Sequence, residues 1–137
     1  MPHTKFPCEV LTPEGEVFNG EVEMISTRTT VGSIAILARH APLLARLEPT
    51  ELRLYRSDDD IVRYAQAAGF MQMSENHALL LLEEVSEIDD LDRGELERAR
   101  EEARSALDAA PPGGEEAARA ARELSRSEAF LRILDGA

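Results

Sequence analysis

The sequence predicts an antiparallel β-sandwich or barrel followed by a hairpin of two α-helices. Residues 1–86 contain many short runs of alternating apolar and polar residues. Turn residues separate these runs at intervals of roughly 8–12 residues, which is typical of antiparallel β-domains. Residues 87–137 are instead rich in Glu, Arg and Ala, with apolar residues at helical spacing. A chain of 137 residues is long enough for one such β-domain with a small appendage.

Alternation and turns mark the strands of the first half. Phe6, Cys8 and Val10 occupy alternate positions, which places their side chains on one face of a first strand. Turn-forming residues interrupt the chain at residues 13–16, 57–60 and 74–76. Further strands are predicted around residues 17–18, 22–30, 32–37, 52–55, 62–66, 70–73 and 78–85. We expect this half to fold without the second.

Two helices are predicted in the second half. The first covers residues 89–110, and the two prolines and two glycines of residues 111–114 must end it. The second runs from Glu115 toward Leu134, supported by i, i+4 pairs such as Glu115–Arg119. The apolar stripe of this hairpin is mostly alanine, and burying alanine contributes little. The pattern therefore predicts a weakly held element, either a loose tail or a switch.

Composition and motifs exclude several classes of function. A net charge of −12 disfavours a nucleic-acid binder. The apolar runs are too short to span a membrane, and no signal peptide is expected. The single cysteine, Cys8, fits a reducing compartment. The three histidines lack a local metal-ligand spacing, and the common nucleotide-binding and hydrolase motifs are absent from the sequence.

Residues 32–44 form the most unusual segment. They contain more apolar residues than one face of a strand requires, and His40 and Pro42 then interrupt the run. One interpretation is a buried strand and a bend, with His40 hydrogen-bonded to backbone groups. The other is an exposed apolar strip that binds a partner.

Arginines dominate the charge of the hairpin and also allow two interpretations. They are either a solvated, salt-bridged surface or a site for an acidic partner or a phosphate group. The hairpin arginines are Arg93, Arg98, Arg100, Arg104, Arg119, Arg122, Arg126 and Arg132.

The order of several segments resembles the ε subunit of rotary F-type ATP synthases over nearly the whole chain. Residues 10–18 resemble the family's V-x-T-P-x-G-x-V-F, and residues 32–44 resemble its G-x-x-G-x-L-P-x-H-A-P-L-L. Residues 48–53 resemble K-P-G-E-L-R-I, and residues 68–70 resemble G-G-F. This chain departs from the family at Ala35, Ala38 and Ala68, where Gly, Pro and Gly are usual, and at Ser33, where some members have Glu.

The resemblance implies both a fold and a role. The fold is a sandwich of about ten strands at residues 1–86, which binds the rotor, and a regulatory helical hairpin at residues 87–137. The sandwich would sit on the γ subunit and the c-ring, so that torque from proton flow passes through the central stalk. The hairpin could fold down or extend toward the α and β subunits and restrain ATP hydrolysis. The subunit itself would be non-catalytic and peripheral to the cytoplasmic face of a bacterial plasma membrane.

The resemblance also assigns residues to these roles. The surface for γ and the c-ring would be formed by Gly32, Ser33, Ile34, Leu37, His40 and Pro42. Arg119, Arg122 and Arg126 would contact an acidic loop of β. Asp90 and Arg93 keep the spacing of an ATP-binding motif found in some members. Asp89 and Gly94 break that motif, and an extra carboxylate beside a triphosphate is unfavourable, so no tightly bound cofactor is expected.

Two other hypotheses remain at this point. The chain could be a stand-alone ligand-binding sandwich with a dimerising helical tail. It could also be a small enzyme that uses His40 or His77 as a base, although the sequence offers no supporting constellation of residues.

Overall fold

Turn residues divide the N-terminal half of the chain into strands, as the alternation predicts. The computed structural model describes residues 3–136. These residues contain ten strands: β1 Phe6–Thr12, β2 Gly15–Val22, β3 Met24–Thr29, β4 Gly32–Leu37, β5 Leu43–Leu47, β6 Thr50–Ser57, β7 Asp60–Gln66, β8 Gly69–Ser74, β9 His77–Leu82 and β10 Val85–Glu87. Together with the helices described below, they confirm the predicted fold class.

The ten strands form one continuous sheet that closes around a single core. Their order is β10-β7-β6-β3-β5-β8-β9-β1-β2, with β4 paired to the free side of β3. Neighbouring strands are antiparallel except β1 and β9, which are parallel. β3 pairs with β5 at a single position, Thr29 opposite Leu47.

The core consists of the inward-facing residues of the sheet. Phe6, Cys8 and Val10 are fully buried, which matches the face predicted for β1. They pack with fully or almost fully buried residues of seven other strands: Val22, Ile25, Ile36, Leu47, Leu52, Leu54, Met71, Met73, Ala78, Leu80 and Leu82. Burial raises the pKa of the Cys8 thiol to about 12, and the neighbouring Glu9 charge adds to this effect. The thiol is therefore an unreactive part of the core.

Gly69 permits the closest backbone approach in the sheet. A Cβ atom at this position would collide with the carbonyl oxygen of Leu81 and lie 2.8 Å from Cα of Leu82. Both obstacles are backbone atoms of β9, which cannot move without breaking the pairing of β8 with β9. Glycine at this position therefore fixes the start of β8 against β9.

The second half contains the two helices of the predicted hairpin. A 3₁₀ turn at Ile88–Asp90 precedes α1 Arg93–Ala109, and α2 covers Glu115–Leu134. The side chain of Asp92 caps α1 by accepting a hydrogen bond from the amide of Glu95 at 3.1 Å. The first helix thus begins four residues later than the sequence pattern suggests, because the acidic residues before it form the 3₁₀ turn and the cap. No helix in residues 3–136 is long and apolar enough to cross a membrane.

The chain divides into two units after Glu87, so β10 belongs with the other strands. Within the helical unit, Arg93 at the start of α1 pairs with Asp135 after α2 at 2.7 Å, and Arg104 pairs with Glu128 at 3.5 Å. The buried alanines include Ala103 and Ala120. Larger apolar residues near the end of α2 are buried too, namely Phe130, Leu131 and Ile133. The predicted apolar stripe of mostly alanine did not include these larger residues of α2.

Candidate functional site

The β3–β4 hairpin divides the predicted partner-binding residues between two faces. Ser33 and Leu37 point outward, and Leu37 is 42% exposed. Ile34 is half-buried against the core. Gly32 begins β4 with a φ of 137°, a conformation that favours glycine. β4 is therefore a half-buried strand with one open face, and the partner-binding interpretation of this segment stays a prediction.

The tip of the same hairpin carries an apolar residue that the sequence analysis missed. Val31 is 95% exposed. Its amide donates a hydrogen bond to Oγ1 of Thr29 at 3.2 Å, and that hydroxyl donates to the carbonyl of Gly32 at 2.9 Å. These bonds hold the tip in one conformation. The sequence does contain a signal for this exposed residue, because Val31 stands between a polar β-branched run and a glycine.

His40 lies in the loop that joins β4 to β5. The imidazole is partly exposed, and Pro42 beside it is exposed. Nδ1 of His40 lies 2.7 Å from the carbonyl oxygen of Ala41. A carbonyl can only accept, so Nδ1 carries the proton that it donates. When the ring is neutral, its Nε2 atom is therefore the acceptor nitrogen.

A second apolar surface lies on the outer face of β5, β8 and β9, and the sequence analysis did not identify it. Leu44 is 73% exposed, Phe70 49% and Leu81 47%. Phe70 stands opposite Arg46 on one side and Leu81 on the other. The guanidinium of Arg46 lies 5.9 Å from the centre of the Phe70 ring. We call Leu44, Phe70 and Leu81 the outer apolar face.

The three arginines proposed as inhibitory contacts differ in availability. Arg119 is exposed, and Arg122 keeps 58% of its side chain exposed while lying 3.8 Å from Glu115. The Arg126 side chain is only 26% exposed, pairs with Glu123 at 3.2 Å and stacks 4.8 Å from the ring centre of Phe130. Arg119 and Arg122 are therefore the members of this set that an outside partner can reach.

Arg93, one of the two residues of the predicted nucleotide site, forms an ion pair within the chain instead. Asp90 is exposed in the 3₁₀ turn, while the guanidinium of Arg93 binds the carboxylate of Asp135 at 2.7 Å. A phosphate group would have to compete with that carboxylate for Arg93. This arrangement gives no support to the weak nucleotide site at Asp90 and Arg93.

The histidines do not assemble a catalytic group with the contacts described. His77 Nε2 lies 3.6 Å from a carboxylate oxygen of Glu9, and His40 contacts a backbone carbonyl. Among residues 3–136, no three His, Cys, Asp or Glu side chains are grouped so that they could hold a metal ion.

Comparisons with known proteins place this architecture in a family. Residues 5–88 match the family described as "ATP synthase, Delta/Epsilon chain, beta-sandwich domain". The chain is 31% identical over 128 residues to the ATP synthase epsilon chain of Sulfurihydrogenibium sp. (strain YO3AOP1), covering 93% of this chain and 96% of the relative. It is 36% identical over 103 residues to that of Persephonella marina, covering 75% and 76%.

Two solved structures show the same fold at low sequence identity. A chain in the cryo-EM structure of the Euglena gracilis mitochondrial ATP synthase, described as OSCP/F1/c-ring, superposes with a TM-score of 0.81 at 20% identity, covering 95% of this chain and 81% of that one. A chain in the Tetrahymena thermophila central stalk/c-ring structure gives 0.67 at 19% identity, covering 97% and 98%. The family match and the bacterial relatives show that this chain belongs to the epsilon-chain family of ATP synthases.

Proposed function

We propose that this chain is the non-catalytic central-stalk subunit of an F-type ATP synthase and rotates with the γ subunit and the c-ring. The observation that carries the proposal is a β-unit whose surface exposes large apolar side chains at several places. These are the tip residue Val31, Leu37 on β4, and the outer apolar face. Full burial of one leucine or phenylalanine side chain contributes about 1.5–3 kcal/mol. These side chains are 42–95% exposed, so each can contribute the corresponding part of that free energy when a partner covers it.

The β3–β4 hairpin and the His40 loop supply the polar part of the proposed rotor surface. Ser33 offers a hydroxyl, and His40 offers its Nε2 nitrogen while its Nδ1 lies 2.7 Å from the carbonyl oxygen of Ala41. Hydrogen bonds at such positions add specificity to apolar burial, because a partner that cannot match them leaves polar groups unpaired. We propose that this surface contacts both the γ subunit and the c-ring.

The proposed mechanical role depends on stiffness. A continuous sheet of ten strands with a close-packed core deforms little, so a torque applied at one surface is carried to another. This is how the β-unit would couple proton-driven c-ring rotation to ATP synthesis in the catalytic subunits, on the cytoplasmic side of a bacterial membrane.

The hairpin is proposed to restrain ATP hydrolysis by meeting an acidic loop of β. Support comes from the exposed guanidinium groups of Arg119 and Arg122 on α2. Each exposed ion pair contributes up to about 1 kcal/mol, so the contacts must act together. ATP is not proposed as a tight ligand, because Arg93 is paired with Asp135.

Assembly of the complex tests the proposed rotor surface. We expect Leu44→Asp and His40→Asp to reduce copurification of the chain with γ and the c-ring, because each change places a charge in a buried contact. Ile61→Asp is a matched control, since Ile61 is 39% exposed on β7 outside the proposed surface. Ile34 is unsuitable for this test because an aspartate there would also disturb the core.

The outcome also separates the proposal from the stand-alone alternative. Equal copurification of all three variants would contradict the proposed surface. A chain that forms a stable dimer by light scattering and never joins the complex would instead support a ligand-binding module with a dimerising tail.

A further inference from the structure

The loop that presents His40 contains a turn whose own residues do not favour its conformation. The amide of His40 donates a hydrogen bond to the carbonyl of Leu37 at 3.2 Å, which closes a four-residue turn. The third residue of that turn, Arg39, has a φ of 62°. Positive φ at this position is characteristic of a type II turn, which favours proline at its second residue and glycine at its third. Here these two positions hold Ala38 and Arg39 instead.

A side chain from a distant turn supplies the missing constraint. The amide of Arg39 donates a hydrogen bond to Oδ1 of Asn76 at 2.7 Å, although the two residues are 37 positions apart. Asn76 belongs to the two-residue turn between β8 and β9, where Ser74 pairs with His77. Glu75 and Asn76 have φ values of 51° and 62°, as a tight type I′ hairpin turn requires. The acceptor is thus fixed to the sheet.

The location of this bond indicates what it does. The bond is exposed to solvent, so water can replace either partner and the bond adds little to folding. Its geometric effect is larger, because it holds the Arg39 amide in place and so sets the direction in which the chain continues to His40 and Pro42. The bond between His40 Nδ1 and Ala41 then orients the imidazole itself.

We propose that Asn76 is a positioning residue that holds the His40 loop in the conformation used for partner binding. This inference rests on the proposed rotor surface. Asn76 acts through Arg39 and need not touch the partner. Without the anchor the loop samples other conformations, and the apparent affinity falls by the fraction of time spent in the competent one.

Two substitutions separate the side chain of Asn76 from the turn that it occupies. Asn76→Gly keeps a residue suited to positive φ but removes Oδ1, whereas Asn76→Asp keeps an acceptor and also tolerates positive φ. In the full-length chain we expect Asn76→Gly to lower the NMR order parameters of the Arg39 and His40 amides from about 0.85 toward 0.6. We expect Asn76→Asp to leave them near the wild-type values, and both variants to unfold at nearly the wild-type temperature.

Binding and rescue complete the test. The dissociation constant is measured for binding of this chain to the ATP synthase complex that lacks it. Asn76→Gly should raise this constant about 3- to 10-fold, and Asn76→Asp should leave it unchanged. Adding Ala38→Pro to Asn76→Gly presets the turn and should restore both the order parameters and most of the affinity. A role limited to the fold would not be rescued in this way.

Three other outcomes would contradict the role of Asn76, the role of the loop, or both. Unchanged order parameters in Asn76→Gly would show that Asn76 does not hold the loop, whatever the partner surface. Loss of order without loss of affinity, while His40→Asp still impairs binding, would overturn the positioning role alone. If neither Asn76→Gly nor His40→Asp changes affinity, the loop is outside the partner surface, and both the inference and that part of the proposed function fail.

Discussion

Thr27 and Gln66 form a buried hydrogen bond between β3 and β7, with the hydroxyl donating to Oε1 at 2.8 Å. Gln66 is fully buried and Thr27 is 4% exposed. The Nε2 atom of Gln66 donates to the carbonyl of Glu48 at 2.9 Å, so the amide group is satisfied at both ends. This one side chain therefore joins two strands to the turn between β5 and β6.

Replacing this amide by a hydrocarbon should destabilise the β-unit. Gln66→Leu leaves the buried Thr27 hydroxyl unpaired, which costs about 1–3 kcal/mol, and it also removes the hydrogen bond to the part-buried Glu48 carbonyl. Thr27→Val removes only one of the two bonds and should cost less. Urea unfolding followed by tyrosine fluorescence checks this, since both tyrosines of the chain, Tyr55 and Tyr64, lie in the β-unit. Equal midpoints for wild type and Gln66→Leu would contradict the role given to the amide.

Gly69 gives a second stability prediction. A Cβ atom at residue 69 would collide with the Leu81 carbonyl, so Gly69→Ala must displace β8 or β9. We expect a loss of more than about 2 kcal/mol, as for other substitutions that overpack a rigid site. Gly20→Ala is the matched control, because its Cβ would meet only the flexible Phe18 ring at 3.4 Å. Thermal unfolding of the two variants decides the point, and a Gly69→Ala protein as stable as Gly20→Ala would refute the close approach.

Glu51 predicts a pH dependence of stability. Its side chain is 10% exposed and pairs with both Arg53, at 3.0 Å, and Arg63, which face each other across β6 and β7. Burial alone would raise the pKa of the Glu51 carboxyl, but the hydrogen bonds and charges of the two arginines outweigh it and lower the pKa below 4.5. A folded-state pKa below the unfolded value means that the carboxylate stabilises the fold above pH 4.5, and that this contribution disappears as the pH falls through the folded pKa.

The measurement compares wild type with Glu51→Gln between pH 7 and pH 3. At pH 7 the variant should be less stable by about 1 kcal/mol or less, because the pairs are partly screened by water. The difference should shrink as the pH falls below 4.5. A difference that stays constant over this range would show that the Glu51 charge contributes nothing to stability.

Local sequence patterns were sufficient for those parts of the fold that depend on neighbours along the chain. The alternation at Phe6, Cys8 and Val10 gave the inner face of β1, and the residues around Pro111 gave the break between the helices. The outer apolar face could not be derived in the same way. Residues 78–82 are all apolar, so period-two alternation does not tell which side of β9 is outside.

The finer features of the candidate site depend on contacts between distant residues. The bond from Arg39 to Asn76 and the ion pair of Arg93 with Asp135 join positions 37 and 42 residues apart. No local pattern predicts such pairs, because turn propensity describes only each turn by itself. The resemblance directed attention to the His40 loop, but only the fold identifies what holds that loop.

The last prediction concerns regulation by the hairpin. Deleting residues 88–137 should raise the rate of ATP hydrolysis by the assembled enzyme, because it removes the proposed restraint. The cut belongs after Glu87 because β10 pairs with β7 along its whole length. The shortened chain should then keep its tyrosine-reported unfolding transition and still join the complex.

The three arginines of α2 should differ in their effect on ATP hydrolysis, because they differ in exposure. Arg119→Ala together with Arg122→Ala should reproduce most of the activation, because these side chains are available to an acidic partner. Arg126→Ala should have a smaller effect on hydrolysis, since that guanidinium is held by Glu123 and the Phe130 ring. High salt should also relieve the restraint, because exposed charges are screened beyond about 8 Å at physiological ionic strength and over shorter distances at higher salt. If the deletion activates the enzyme but the double substitution does not, the hairpin inhibits by another surface, and the arginines serve only as its solvated face.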